Sequence, residues 1–198
     1  MIVSKKGCVA ALKEAWKKGY EIVPYGERIS IFTENWSLET TTRELPLEVA
    51  QILVEHFGGI PTEPMLVQKG RDGQMALPGR WDELQELQEG ADYIHKVPVT
   101  YKDKWQMFVT AEGDWMCLDL AYLAILEEQC ACTILRTSSG MAIFSLQEER
   151  LTVAPGNFGR EDQRKLDQIA QMFREQRIQE VEIPENVCLF DDLNSDEE

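Results

Sequence analysis

Apolar and polar residues alternate over short stretches punctuated by glycine, asparagine and proline, which predicts strands with helices between them. Residues 20–44 predict a three-stranded meander. Ile22 and Val23 precede a turn at Gly26, Ile29 and Ile31 alternate around Ser30, and Trp36, Leu38 and the β-branched run Thr40 to Thr42 make a third strand after Asn35. Pro24 has no N–H to donate to a neighbour, so the first strand is expected at a sheet edge. Residues 65–80 predict a hairpin around Gly70-Arg-Asp-Gly73. Val97, Val99 and Tyr101, then Trp105, Met107 and Val109, alternate through 97–111. Three more strands are expected in 131–153, beginning at Cys132, Met141 and Arg150, with Ser138-Ser139-Gly140 as the turn between the first two.

Helical spacing appears at 4–18, where Ser4 is placed to cap and Val9, Leu12, Ala15 and Trp16 share a stripe surrounded by lysines, with Gly19 at the end. Residues 46–57 follow, with Pro46 in the first turn and Gly58-Gly59 as the stop. Trp81 to Gly90 reads as a short surface helix with Leu84 and Leu87 inward, and 160–177 as a final helix through Leu166, Ile169, Ala170 and Phe173. Residues 115–126, Trp-Met-Cys-Leu-Asp-Leu-Ala-Tyr-Leu-Ala-Ile-Leu, are apolar nearly all round. They predict a central buried helix capped by Asp114, too short to cross a membrane, which takes about 20 apolar residues.

These elements predict an α+β fold of antiparallel sheet with helices packed on one face. Segments 20–57 and 131–174 share the order strand, strand, strand, helix, and 97–127 is a shorter cousin. Two or three β-β-(β)-α units are therefore expected, with chance topological likeness as the alternative. The expected division is 1–64, 65–178 and an acidic tail at 179–198, read as a solvated end. Apolar Leu189, Phe190 and Leu193 make docking on a basic partner the alternative for that tail.

Charge changes the picture more than composition does. With 198 residues and 43% apolar content, the chain can build a core without disulfides. Its formal charge is −15, unevenly placed: residues 1–20 carry five Lys and one Glu, whereas 179–198 carry eight acids and no base. Such a chain repels nucleic acid and anionic membrane and attracts basic surfaces, including those that hold DNA or RNA. Five cysteines, an odd count, and no apolar stretch after the first lysines point to a reducing cytoplasm.

Few residues suggest chemistry. His56 lies in Val54-Glu-His-Phe57, where adjacent residues on a helix do not face each other, so Glu55 is not placed to orient it. His95 has no evident partner. Cys130-Ala-Cys132 is too tight for the usual zinc spacing, and strand alternation is expected to pack both thiols on one face. Phosphate loops, dinucleotide fingerprints and nucleophile elbows are absent. Most of the tryptophans fall at inward positions; Trp81 is the surface candidate.

The expectation is a non-enzymatic cytoplasmic protein that binds a basic protein, in its sharpest form an inhibitor occupying a nucleic-acid channel, of the phage or mobile-element counter-defence type. Neither cofactor, metal, direct nucleic-acid contact nor membrane is expected. The partner-binding carboxylates are Glu83, Glu86, Glu89, Asp92, Glu127, Glu128, Asp191 and Asp192. The alternatives are a metal-dependent enzyme using Asp114 and Asp119, and a ligand-binding or structural module with a pocket between the sheet and the central helix.

Overall fold

A computed structural model describes residues 2–70, 73–78, 92–127 and 130–180. The fold is α+β. Its eleven strands form one antiparallel sheet in the order β5-β4-β1-β2-β3-β11-β10-β9-β6-β7-β8. The expected surface helix at 81–90, Trp81 and the tail beyond 180 lie outside the described residues.

The chain opens with α1 (Lys5–Lys18). Ser4 accepts from the Gly7 N–H as its cap, and Gly19, at φ 107°, ends it in a conformation that side chains other than glycine's rarely adopt. The buried face runs through Cys8, Ala11, Leu12 and Ala15, so it is rotated from the expected stripe, and Val9 and Trp16 are only half-buried. Its lysines find acids of the same fold: Lys5 pairs with Glu48 and Lys18 with Glu14.

The first meander is β1 (Tyr20–Tyr25), β2 (Arg28–Phe32) and β3 (Trp36–Thr41), with Gly26 at φ 60° in the first turn. α2 (Leu47–Phe57) follows and packs beside α1. The hairpin β4 (Met65–Gly70) and β5 (Gly73–Pro78) then pairs back onto β1, which is therefore an interior strand and not the edge expected from Pro24. Proline is tolerated because β4 pairs only with Tyr20–Ile22; Pro24 lies past that ladder and faces Ile29 on β2 alone.

β6 (Asp92–Tyr101), β7 (Trp105–Thr110) and β8 (Trp115–Asp119) form the other end of the sheet. Here the expected central helix is overturned. Residues 115–119 are strand, and only α3 (Leu120–Leu123) is helical. Its cap is Asp119, which accepts from the Ala121 N–H at 2.9 Å; Asp114 pairs instead with Arg136. The physical reason is two-sided burial. Phe108, Met116 and Leu118 enter the main core, whereas Met107, Val109 and Cys117 pack against Leu166 and Ala170. A strand covered on both faces shows an unbroken apolar run, which periodicity does not separate from a buried helix.

The second meander, β9 (Thr133–Arg136), β10 (Ala142–Leu146) and β11 (Glu149–Val153), meets the first through its last strand. Leu151 faces Leu38 and Val153 faces Trp36 across β11 and β3. β9 starts one residue later than expected, so Cys132 is outside it. α4 (Arg160–Glu180) closes the described chain and supplies Leu166 and Ala170 to the second cluster.

The start of the chain is woven in as well. The Ser4 N–H donates to the Ile125 carbonyl at 2.6 Å, and the Glu127 N–H donates to the Ile2 carbonyl at 2.8 Å. Gly7 sits so close to Ala124 that a Cβ there would lie 1.6 Å from the Ala124 carbonyl oxygen, so α1 and the end of α3 touch backbone to backbone. Among the described residues no helix is long and apolar enough to cross a membrane.

Candidate functional site

Two clefts flank the β6–β8 end of the sheet. The first, of about 800 Å³, lies between α4 and the start of β8, and Asp114, Trp115, Arg136, Asp167 and Arg174 line it. Several of its polar groups are matched to one another. Arg136 meets Asp114 at 2.9 Å, Trp115 Nε1 donates to Asp167 at 2.7 Å, and Gln171 donates to Glu175 at 3.0 Å. Gly113, at φ 93°, lets the Arg174 side chain pass closely over the turn before β8.

The second cleft, of about 840 Å³, opens between the start of α1, α3 and the β6–β9–β10 strip. Its walls are more apolar: Phe108, Phe144, Ile134 and Leu123 line it. Lys6, Lys96 and Glu127 supply the charge, and Cys130 and Cys132 both face into it. Burial pushes the Cys132 thiol up to about 11, with a smaller contribution from its contact with Cys130.

Of the expected partner-binding carboxylates, Asp92 and Glu127 are described, and both are exposed. Asp92 lies at the start of β6 opposite Arg136 of β9, and Glu127 lies at the second cleft, so the fold does not bring them into one patch. Glu83, Glu86, Glu89, Glu128, Asp191 and Asp192 lie outside the described residues. Asp114, just before β8, and Asp119, at its end, are about 16 Å apart along the extended chain. Arg136 engages the first and Lys104, at 3.1 Å, the second. Among the described residues no group of three or more His, Cys, Asp or Glu side chains is placed to hold a metal ion.

His56 has a partner that the sequence did not reveal. Its ring stacks on Trp16 with centroids 3.8 Å apart, and its Nδ1 shares a hydrogen bond of 2.6 Å with the Tyr20 hydroxyl. Burial lowers the His56 pKa, partly offset by Glu55, and burial raises that of Tyr20. Glu149 is a second buried polar group of this kind. It follows the tight turn at Gln147, yet its carboxylate is buried and accepts from the Ile2 N–H and, at 3.1 Å, from the Thr40 hydroxyl. No local signal marks it, because both partners are more than a hundred residues away.

No family model matches the sequence, and no curated protein matches it. Among solved structures, a putative DNA polymerase III beta subunit from Eubacterium rectale is similar at 9% identity and a TM-score of 0.38, over 82% of this chain and 66% of that one. The beta subunit from DNA polymerase of Streptococcus pyogenes is similar at 11% identity and a TM-score of 0.38, over 80% of this chain and 64% of that one. The chain thus spans just under two thirds of the length of each, and likeness of this size carries no functional argument.

Proposed function

We propose that this chain is a non-enzymatic protein-binding protein whose partner presents a basic surface. In its sharpest form, the partner is a nucleic-acid-binding protein whose channel is occupied by carboxylates in place of phosphates. Charge placement carries this reading. The described residues hold 22 acids against 18 bases, only −4 of the −15 total. Many of those charges are matched locally, as in Arg43–Glu27, Arg28–Glu148, Lys102–Asp162 and Arg136–Asp114. The surplus lies in segments 79–91 and 181–198, which together contain eleven acids and one base. A surplus of this density steers basic partners and releases the counterions of a phosphate-binding surface.

The alternative of a metal-dependent enzyme gains nothing from Asp114 and Asp119, each held by its own cation at opposite ends of one strand. A ligand-binding module gains more, because the second cleft is large and apolar-walled.

The deciding experiment is affinity capture from a cell lysate at low and high salt. The wild type is compared with a variant in which Glu83, Glu86, Glu89, Asp191 and Asp192 become amides. Enrichment of basic, nucleic-acid-binding proteins that is lost both in high salt and in the variant is the expected result. An unchanged set of captured proteins under both conditions removes the proposal.

A further inference from the structure

We propose that Cys130 and Cys132 form a two-thiolate site for a soft monovalent metal ion, Cu(I), in the wall of the second cleft. The proposal is independent of partner binding. Only one residue separates the two cysteines, and neither lies in a strand. The Cys130 N–H donates to the Glu127 carbonyl at 3.0 Å, which holds the first cysteine beside Glu127. Both thiols are free, half-buried and open to the same cleft. Cys8 and Cys117 differ: each is wholly buried, so among the described cysteines only this pair meets an ion entering from water.

The donor set selects the ion. Zinc in a structural site takes four ligands, and the described residues assemble no group of even three. Two thiolates alone suit a soft d¹⁰ ion content with two sulfur donors. On binding, two S–H bonds break, two Cu–S bonds form and two protons leave; no electron changes hands. The product carries one negative charge. Lys6 and Lys96 line the cleft, and Glu127 is the one acid among its described lining residues, so the balance among these groups favours that anion. Phe108, Phe144 and Ile134 give the cleft an apolar wall beside it.

The test is an anaerobic titration of the reduced full-length chain with Cu(I) held by a colorimetric chelator. One Cu(I) per chain is expected to leave the chelator. Cys130→Ser and Cys132→Ser are each expected to weaken binding by at least about 100-fold, since loss of a direct ligand exceeds the effect of losing an outer-shell partner. Cys188→Ser is expected to bind like the wild type, and circular dichroism checks that each variant is folded. X-ray absorption of the loaded wild type, which needs no variant, is expected to show two sulfur neighbours. Failure to take copper from the chelator, retention of full affinity in the Cys130→Ser/Cys132→Ser double variant, loss in Cys188→Ser, or more than two sulfurs on the metal would overturn the site.

Discussion

The Glu149 carboxylate accepts a hydrogen bond from the Ile2 backbone N–H, joining positions 147 residues apart inside the core. The same carboxylate receives the Thr40 hydroxyl, so one side chain ties the start of the chain to β3 and β11. Glu149→Ala leaves two buried donors without an acceptor and is expected to destabilise the fold by about 2–3 kcal/mol; Glu149→Gln, which keeps an acceptor oxygen, is expected to lose less than half of that. Urea unfolding measures both. An alanine variant within about 0.5 kcal/mol of the wild type would show that this contact does not hold the fold in solution.

Gly7→Ala places a methyl group against the Ala124 carbonyl, and that neighbour is backbone and does not swing aside. A loss of about 3 kcal/mol or more is expected, because overpacking here forces α1 away from the end of α3. Thermal unfolding reads it; an unchanged midpoint would mean that α1 does not sit this close.

Thr152 is buried on β11, and among the described residues its hydroxyl has no hydrogen-bond partner. Thr152→Val removes a desolvated polar group while keeping a β-branched shape. Stability is expected to stay level or rise by up to about 1 kcal/mol in the same urea assay. A clear loss would reveal a partner for the hydroxyl.

His56 sets a pH dependence whose sign follows from its lowered pKa. As pH falls below the ordinary histidine value of about 6.5, the unfolded chain takes up the proton before the folded one does. The stabilising contribution is therefore complete above that value and is lost as pH falls through the depressed folded pKa. Between about pH 8 and about pH 5, wild-type stability is expected to fall further than that of His56→Gln. Parallel curves for the two proteins would refute this assignment, and titration of the ring by NMR checks the direction of the shift independently.

Where apolar residues alternate with polar ones or recur at helical spacing, the sequence was legible. Ile29 and Ile31 in β2, Leu38 in β3 and Leu53 in α2 occupy core positions that their spacing announced. Ser4, Gly19 and Gly58 mark helix ends that they physically cap. The reading of Trp115 to Leu126 failed because both faces of β8 are covered, which erases the alternation that identifies a strand. Pro24 misled for the opposite reason: its missing donor constrains one residue, and β4 simply ends its pairing before reaching it.

The candidate site was less legible than the fold. Lys6, Lys96 and the group Glu127, Cys130 and Cys132 come from separate parts of the chain, and nothing in their local spacing says that they share a cleft; the two thiols were expected on one face from strand alternation, yet neither lies in a strand. The same is true of Trp16, Tyr20 and His56, which approach only because α1, β1 and α2 pack together.

By itself the sequence determined the α+β class, most strand and helix positions, the turn glycines and the placement of surplus negative charge. Each of these follows from local backbone preference, from one-sided burial or from simple counting. Only the tertiary structure decided that β3 and β11 join the two meanders, that residues 115–119 form a strand with two covered faces, that Glu149 reaches Ile2, and that Cys130 and Cys132 line a cleft with Lys6 and Lys96. Those outcomes depend on which distant surfaces fit together, a free energy shared among residues far apart in the chain and therefore absent from any single stretch of it.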